Sequence, residues 1–503
     1  MMLASFFAPT GGQNLDHGLR EYRNCLCVLE WYGHLISELM MQDLDRLVKA
    51  QDAFFLSGQT RELRFRRKQL RSLLQNIRQN EAAIVAALHS DLGKPEFEAV
   101  TSELAVVYSE LSFAIRKVKS WTKGRRRPTP PLCWPSRSRL VPEPKGRVLI
   151  IAPWNYPFQL SIGPAVSALA AGNCVIIKPS EFATATTKIM AKIIGDTFPP
   201  DYCALVQGSI PETTALLNHA WGHVFFTGST QVGRIVMQAA ALTLSPVTLE
   251  LGGKNPVIVD EDIDVETTAR RIVWGKFFNN GQTCIAPDYL LVPDSVKNDL
   301  IKSMIQSIKE LYGPNAEKSS DYGRIVNDVQ FTRLLQLIEP SKVVFGGQSD
   351  RTTRYLAPTL LDAVGIDHPV MAAEIFGPIL PVLSYKTLEE ALNIVAQRPK
   401  PLSLYVFSRR KKFCEDVMAR VQFGGGGINT TLMHFINHHL PFGGIGPSGM
   451  GSSHGKHGFD TFTHYKSLII APHSLDLLVK YPPYGPLGKV LGVVFRQLSR
   501  LAF

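Results

Sequence analysis

Between residues 147 and 407 the chain alternates short β-branched and aliphatic runs with longer segments whose apolar residues recur at helical spacing. No other feature narrows the choice of fold as far. The pattern predicts strands over 147–152, 174–177, 204–207 and 223–227, with helices over 158–171 and 184–194 between them. Gly172 is placed to stop the first of these helices. Strand–helix–strand units of this kind cross right-handed and build a parallel sheet with helices on both faces. After Leu251 the alternation restarts, with strands over 256–259, 289–292, 343–345, 380–383 and 402–407 and helices over 265–278, 296–311 and 388–397. The expected fold is therefore α/β, with two doubly wound parallel-sheet domains, and 503 residues are enough for two or three such cores. Ligands of these sheets bind beyond the carboxyl ends of the strands, so the active site is expected in the cleft between the domains. Residues 43–121 read as helical, with Leu44, Leu47, Val48 and Phe55 on one face and Leu70, Leu73, Leu74 and Ile77 on another.

Chemistry is concentrated in a few stretches. Cys284 follows the polar turn Asn279-Asn280-Gly281-Gln282-Thr283, which can leave a thiol facing a cleft. A thiolate attacks carbonyls well, but read alone this residue fits a buried structural cysteine better. Glu250 closes the apolar run Val247-Thr248-Leu249 and precedes Leu251-Gly252-Gly253, a setting that raises a carboxyl pKa and makes a base. A simple pairing with a nearby Lys or Arg would also account for it. The turn Gly228-Ser229-Thr230-Gln231-Val232-Gly233 joins a strand to a helix whose apolar face is Val232, Ile235, Val236, Ala239 and Ala240. Helix N-termini of this sort bind anions, although Gly-x4-Gly is not the usual dinucleotide spacing and a structural turn fits equally. Lys178 and Glu181 end the 174–177 strand, where a lysine can also simply reach solvent. Asn155 lies in the stiff Pro153-Trp154-Asn155-Tyr156-Pro157 loop, either aiming an amide donor or filling an ordinary turn.

Taken together, Phe278-Asn279-Asn280-Gly281-Gln282-Thr283-Cys284 and Leu249-Glu250-Leu251-Gly252-Gly253-Lys254 resemble the two signatures of the aldehyde dehydrogenase superfamily. The resemblance spans about Leu44 to His464. Trp274-Gly275-Lys276, Cys284-Ile285-Ala286-Pro287-Asp288-Tyr289 and Pro441-Phe442-Gly443-Gly444 are similar to its class 3 branch, which includes fatty aldehyde dehydrogenase. It implies Cys284 as nucleophile, Glu250 as general base, and Asn155 with the Cys284 N–H as oxyanion hole. Lys178 and Glu181 would hold the adenosine ribose, and the turn from Gly228 to Gly233 would lie by the pyrophosphate. In Glu374-Ile375-Phe376-Gly377-Pro378, Glu374 would bond the nicotinamide ribose and Phe376 would pack by the ring. Without the resemblance these two would read as a surface acid and a core residue. Tyr156 and Thr430 are assigned to the substrate side; Asn429-Thr430-Thr431 departs from the family's pattern there. NAD is the implied cofactor, because a 2′-phosphate would meet Glu181, though class 3 enzymes also accept NADP. The implied layout is an extension at 1–42, a Rossmann-like NAD-binding domain at 43–249 carrying an oligomerisation hairpin at 128–146, and a catalytic domain at 250–430. A segment at 431–486 then returns to the cofactor and oligomerisation region, and an amphipathic tail occupies 487–503. A homodimer and a small-molecule aldehyde substrate, aliphatic and of medium or long chain, follow from the same resemblance.

Charge and cysteines bound the partners. Of the net charge of +11, a window from Arg116 to Arg147 carries most, with Glu143 its one acid. A solvated basic face accounts for it, an anionic membrane surface is the next reading, and nucleic acid is not expected because no recognition motif accompanies the charge. The cysteines are scattered and odd in number, which points to a reducing compartment, no disulfide framework and no metal. No signal peptide or membrane span is expected, hence a cytoplasmic chain with at most peripheral membrane contact. Residues 26–41 read as a short amphipathic helix. In the tail, Leu487, Val490, Leu491, Val494, Leu498 and Leu501 share a helical face, with Lys489, Arg496 and Arg500 among them. That helix can pack on its own subunit or its mate, lie on a membrane surface, or cover the substrate entrance. Two rivals to the dehydrogenase reading are a cofactor-independent thiol esterase and a catalytically silent membrane-associated structural protein. The first leaves Lys178, Glu181 and Glu374 without a role.

Overall fold

Each of the two alternations closes into its own sheet. The computed structural model describes residues 41–476 and 480–501. The first sheet contains β1 (Arg147–Ile151), β2 (Cys174–Lys178), β3 (Cys203–Leu205), β4 (His223–Gly228) and β5 (Val247–Leu251). Their order is β5-β4-β1-β2-β3 and all pair in parallel. The short strand Gly449–Met450 runs antiparallel outside β5. The chain builds outward from β1 to β3, then crosses back to β4. That reversal leaves a crevice at the carboxyl ends of β1 and β4, the usual place for a ligand in such a sheet.

The second sheet contains β6 (Pro256–Val259), β7 (Tyr289–Pro293), β8 (Val343–Phe345), β9 (Thr359–Leu361), β10 (Ile379–Tyr385), β11 (Ser403–Phe407) and β12 (Gly425–Ile428). Its order is β8-β9-β10-β7-β6-β11-β12, parallel except for β8 against β9. Side chains alternate across a strand, and here both faces are buried. Val257, Val259, Leu290 and Val292 join one core, while Ile258, Tyr289 and Leu291 join the other. This explains why these strands read as continuous apolar runs.

The expected parallel α/β architecture is present. Leu44 and Val48 pack into the core of the first sheet, and Leu70, Leu73 and Ile77 are buried on the helix Leu63–Gln79. Some elements escaped the sequence pattern. The helix Ile210–Leu217 was hidden by its brevity, although Ser209 and Glu212 form a capping box at its start. β12 is mostly glycine, which strand propensity disfavours. The strand expected at 204–207 lies one residue earlier and is shorter.

Lys119–Glu143 and the segment from Thr463 onward form a separate unit. In it Arg125–Arg127 pairs antiparallel with Arg137–Pro144, and Thr463–Ile470 adds the third strand. The helix Pro486–Leu501 follows, exposing Leu487, Val490, Val494 and Phe495. No helix among the described residues is long and apolar enough to cross a membrane. The helix expected over 26–41 and the extension at 1–42 lie, but for their last residues, outside the described residues, as do the side chains of Leu498 and Leu501.

Ile176 sits at the centre of β2 with no exposure. Ile176→Ala is expected to cost about 2–5 kcal/mol by leaving a cavity in a packed interior. A urea unfolding midpoint equal to that of the unaltered protein would contradict the packing described.

Candidate active site

The helix Val265–Phe277 delivers the chain to a sharp turn. Asn279 and Asn280 take left-handed backbone angles, φ 52° and 55°, and Gly281 follows at φ 69°. A Cβ on Gly281 would stand 2.3 Å from the Gly377 carbonyl oxygen, so only glycine fits. Gln282 then anchors the turn, donating from Nε2 to Arg324 O (3.0 Å) and accepting at Oε1 from Val326 N (3.1 Å). Asn255 holds the next stretch by donating to the carbonyls of Cys284 (2.7 Å) and Ala286 (3.0 Å). Cys284 is left partly exposed, and the N–H groups of Cys284 and Ile285 point at its sulfur.

Two carboxyl groups reach the same thiol. Glu250 leaves β5 into a buried space, and its Oε1 accepts from the Ser453 hydroxyl; among the described residues no lysine or arginine bonds it. Burial pushes its pKa up to about 7, with the Ser453 bond opposing. Glu374 is raised to about 8, first by burial and then by the Asp288 charge, against the Gly253 N–H and the charges of Lys254 and Lys276. A Cβ on Gly252 would lie 1.9 Å from Glu374 Oε2, so that glycine makes room for the carboxylate. Lys254 bonds Asp288 at 2.7 Å and the carbonyls of Val370 and Ala373, while Asp288 accepts from Ile375 N (3.0 Å). This buried pair fixes the segment that carries Glu374. The Cys284 thiol is pushed well above its usual range by burial, then by Glu374 and Glu250. The fold thus brings together two acids and a thiol separated by up to 124 positions in the chain.

Asn155 is buried, and its Nδ2 donates to Gln282 O at 2.9 Å, tying the 153–157 loop to the cysteine turn. The Tyr156 hydroxyl lies 2.6 Å from Thr283 Oγ1, next to Cys284. Phe376, at φ 51°, packs its ring edge-on against Trp154 with centroids 5.3 Å apart.

Three features fit a dinucleotide at the strand ends. Lys178 is the buried last residue of β2; burial lowers its pKa, and among the described residues Nζ bonds only the adjacent Pro179 carbonyl, at 2.7 Å. Glu181 beyond it is exposed. Ser229 caps the helix Thr230–Leu242, accepting from Val232 N, with Gly228 ahead of it and Gly233 buried; Gln231 and Val232 are exposed, and Thr230 bonds Pro447 O. Finally, Glu374 Oε1 is buried with no hydrogen-bond partner among the described residues, as expected of an acceptor awaiting a hydroxyl.

Cys284 also opens on a cavity of about 230 Å³. Its wall is mostly apolar, with Phe97, Trp274, Phe278, Leu432, Phe435 and Phe442 prominent and Tyr156 and Thr283 beside the thiol. Thr430 is not part of that wall; Leu432 and Met433 are. Ser453, Lys254, Asp288 and the wall residues other than Tyr156 and Cys284 were not assigned roles from sequence. Ser453 lies 203 positions from Glu250, and no local pattern links the two.

The aldehyde dehydrogenase family profile matches residues 26–468, beginning earlier than the expected Leu44. The chain is 48% identical over 447 residues to 4,4'-diaponeurosporen-aldehyde dehydrogenase of Staphylococcus aureus, covering 88% of this chain and 97% of that one. It is 44% identical over 445 residues to the dimeric NADP-preferring aldehyde dehydrogenase of Canis lupus familiaris, covering 88% and 98%. The substrate-bound structure of Staphylococcus aureus AldH superposes with a TM-score of 0.88 at 47% identity, covering 90% of this chain and 99% of that one. The chain belongs to the aldehyde dehydrogenase family, and is an enzyme that oxidises aldehydes with NAD(P)+.

Proposed function

We propose that this enzyme oxidises medium- or long-chain, lipid-derived aliphatic aldehydes to carboxylic acids, with Cys284 as nucleophile, Glu250 as general base and Asn155 as oxyanion donor. The observation that carries this is a thiol that opens on a large apolar cavity while two buried carboxyls act on it. Such a cavity rewards each buried methylene by about 0.8 kcal/mol.

Cys284 gives up its proton to solvent before it attacks, leaving Glu250 ionised for the later step. The thiolate adds to the carbonyl carbon and forms a thiohemiacetal. Its oxyanion accepts from the Asn155 amide and the Cys284 N–H, and removing one such donor typically costs about 100- to 1,000-fold in turnover. NAD(P)+, when bound, supplies the hydride acceptor that leaves a thioester on Cys284. Glu250 then draws a proton from water, which attacks the thioester and releases the acid. Lys178 and Glu181 would hold the adenosine ribose, the turn from Gly228 to Gly233 the pyrophosphate, and Glu374 the nicotinamide ribose beside Phe376. The carboxylate of Glu181 disfavours a 2′-phosphate, so NAD is the preferred form. On this reading residues 43–249 form the cofactor domain and 250–430 the catalytic domain. Tyr156, in the cavity wall, contacts substrate; Thr430, outside that wall, would act on substrate only indirectly.

The outer strand Thr463–Ile470 exposes Leu468, Ile469 and Ile470, an edge suited to a second copy of this chain in a homodimer. The tail helix exposes an apolar face with Lys489 and Arg500 beside it, a combination suited to anionic lipid.

Glu250→Gln is expected to give a burst of NADH without steady turnover. In the unaltered enzyme deacylation should rise with pH through about 7, because the base works only when ionised, and the variant should lack that limb. Loss of burst and turnover in equal measure would point to another base. Across a series of straight-chain aldehydes, kcat/KM should climb by roughly fourfold per methylene until the cavity is filled; a flat series would remove the long-chain assignment. Deleting residues 487–503 should abolish flotation with anionic vesicles and leave a dimer in sedimentation, whereas undiminished flotation would clear the tail of that role.

A further inference from the structure

Under the 153–157 loop lies an ion pair that the chemistry above does not use. Lys94 Nζ stands 2.6 Å from Glu103 Oε1, and neither side chain has any exposure. Two charges taken out of water repay their desolvation only when further hydrogen bonds complete their coordination. Here the further bonds converge on one short stretch. Lys94 Nζ donates to the Asn155 carbonyl at 3.1 Å and lies 4.2 Å from the centre of the Tyr156 ring. Glu103 Oε2 accepts from Phe158 N (3.0 Å) and Gln159 N (2.8 Å), at the start of the helix Gln159–Ala171. The pair therefore grips the backbone on both sides of Pro157. From the cysteine turn, Asn279 Nδ2 donates to the same Asn155 carbonyl at 3.0 Å, and Glu98 accepts from Asn279 N at 2.9 Å.

We infer that Lys94 and Glu103 are positioning residues for catalysis, fixing the backbone from which the Asn155 amide hangs so that the amide already points to where an oxyanion on Cys284 develops. This rests on the reading of Asn155 as the oxyanion donor. A donor held in place before the reaction pays no reorganisation when charge appears, whereas a swinging one does. Removing both charges together avoids stranding one of them in the interior, so the double substitution Lys94→Met with Glu103→Leu is the informative variant.

The test uses full-length enzyme, NAD+ and hexanal in rapid mixing, with NAD+ affinity measured separately. The double variant is expected to lower the NADH burst rate by roughly 10- to 100-fold, short of the full loss of a donor, with NAD+ affinity unchanged. Adding Asn155→Ala to it should lower the rate by only about threefold more, because residues that act as a unit are not additive. Lys94→Met with Glu103→Gln keeps an acceptor for the two N–H groups and strands no charge; it should show a smaller loss with the same dependence on Asn155. A wild-type burst rate in either variant, or losses that multiply in full with Asn155→Ala, would overturn the inference. A normal burst in Asn155→Ala alone would instead remove the oxyanion reading itself. A slow Asn155→Ala beside fast pair variants removes only the role of Lys94 and Glu103.

Discussion

Exclusion of water around Cys284 is the condition on which the rest depends. In water a carboxyl group is ionised far below neutral pH and makes a feeble base. Enclosed, Glu250 is raised to about 7 and Glu374 to about 8, and the thiol is pushed up with them. One physical cause moves all three groups toward their neutral forms: the carboxyls rise into the range of a useful base, and the thiol rises away from it. Each carboxylate retains one compensating bond, Glu250 from Ser453 and Glu374 from Gly253, so neither is driven fully neutral.

The cavity and the acids work as a unit. An apolar wall of aromatic and aliphatic side chains surrounds the thiol, and on the proposed function it is what takes up an alkyl tail. The polar groups that must remain in such a setting are held by backbone bonds rather than left loose. Lys254 with Asp288 secures the Glu374 segment, and Lys94 with Glu103 secures the Asn155 loop. Both are buried ion pairs whose remaining donors and acceptors are spent on main chain. That arrangement favours specificity of position over net stability.

Much of this was legible before any folding. The strand and helix alternation reported the two parallel sheets because buried strands must be apolar on both faces. Cys284 and Glu250 stand out as candidates through the two signatures that resemble the family's; read alone, a structural cysteine and an ion-paired acid account for them. Other parts were not legible. β12 reads as a glycine-rich linker and becomes a strand only because β11 lies alongside it. Thr430 looked like a substrate contact from its place in the chain, yet Asn429 turns at φ 54° and sets the Thr430 methyl group against Gly427, leaving Leu432 and Met433 in the cavity wall. Nothing in the local sequence marks Lys94 and Glu103 as a pair, because it is the packing around both that leaves them without exposure.

The sequence by itself determined the order of strands and helices, the reactive groups available and the turns that expose them. Those are set by local periodicity and by backbone freedom at a few residues. Which groups meet, and with what proton affinity, was decided only by the tertiary structure. Ser453 reaches Glu250 from 203 positions away, and the raised pKa values come from everything packed around each carboxyl. Desolvation is a property of the whole surrounding volume, and no window of neighbouring residues contains it.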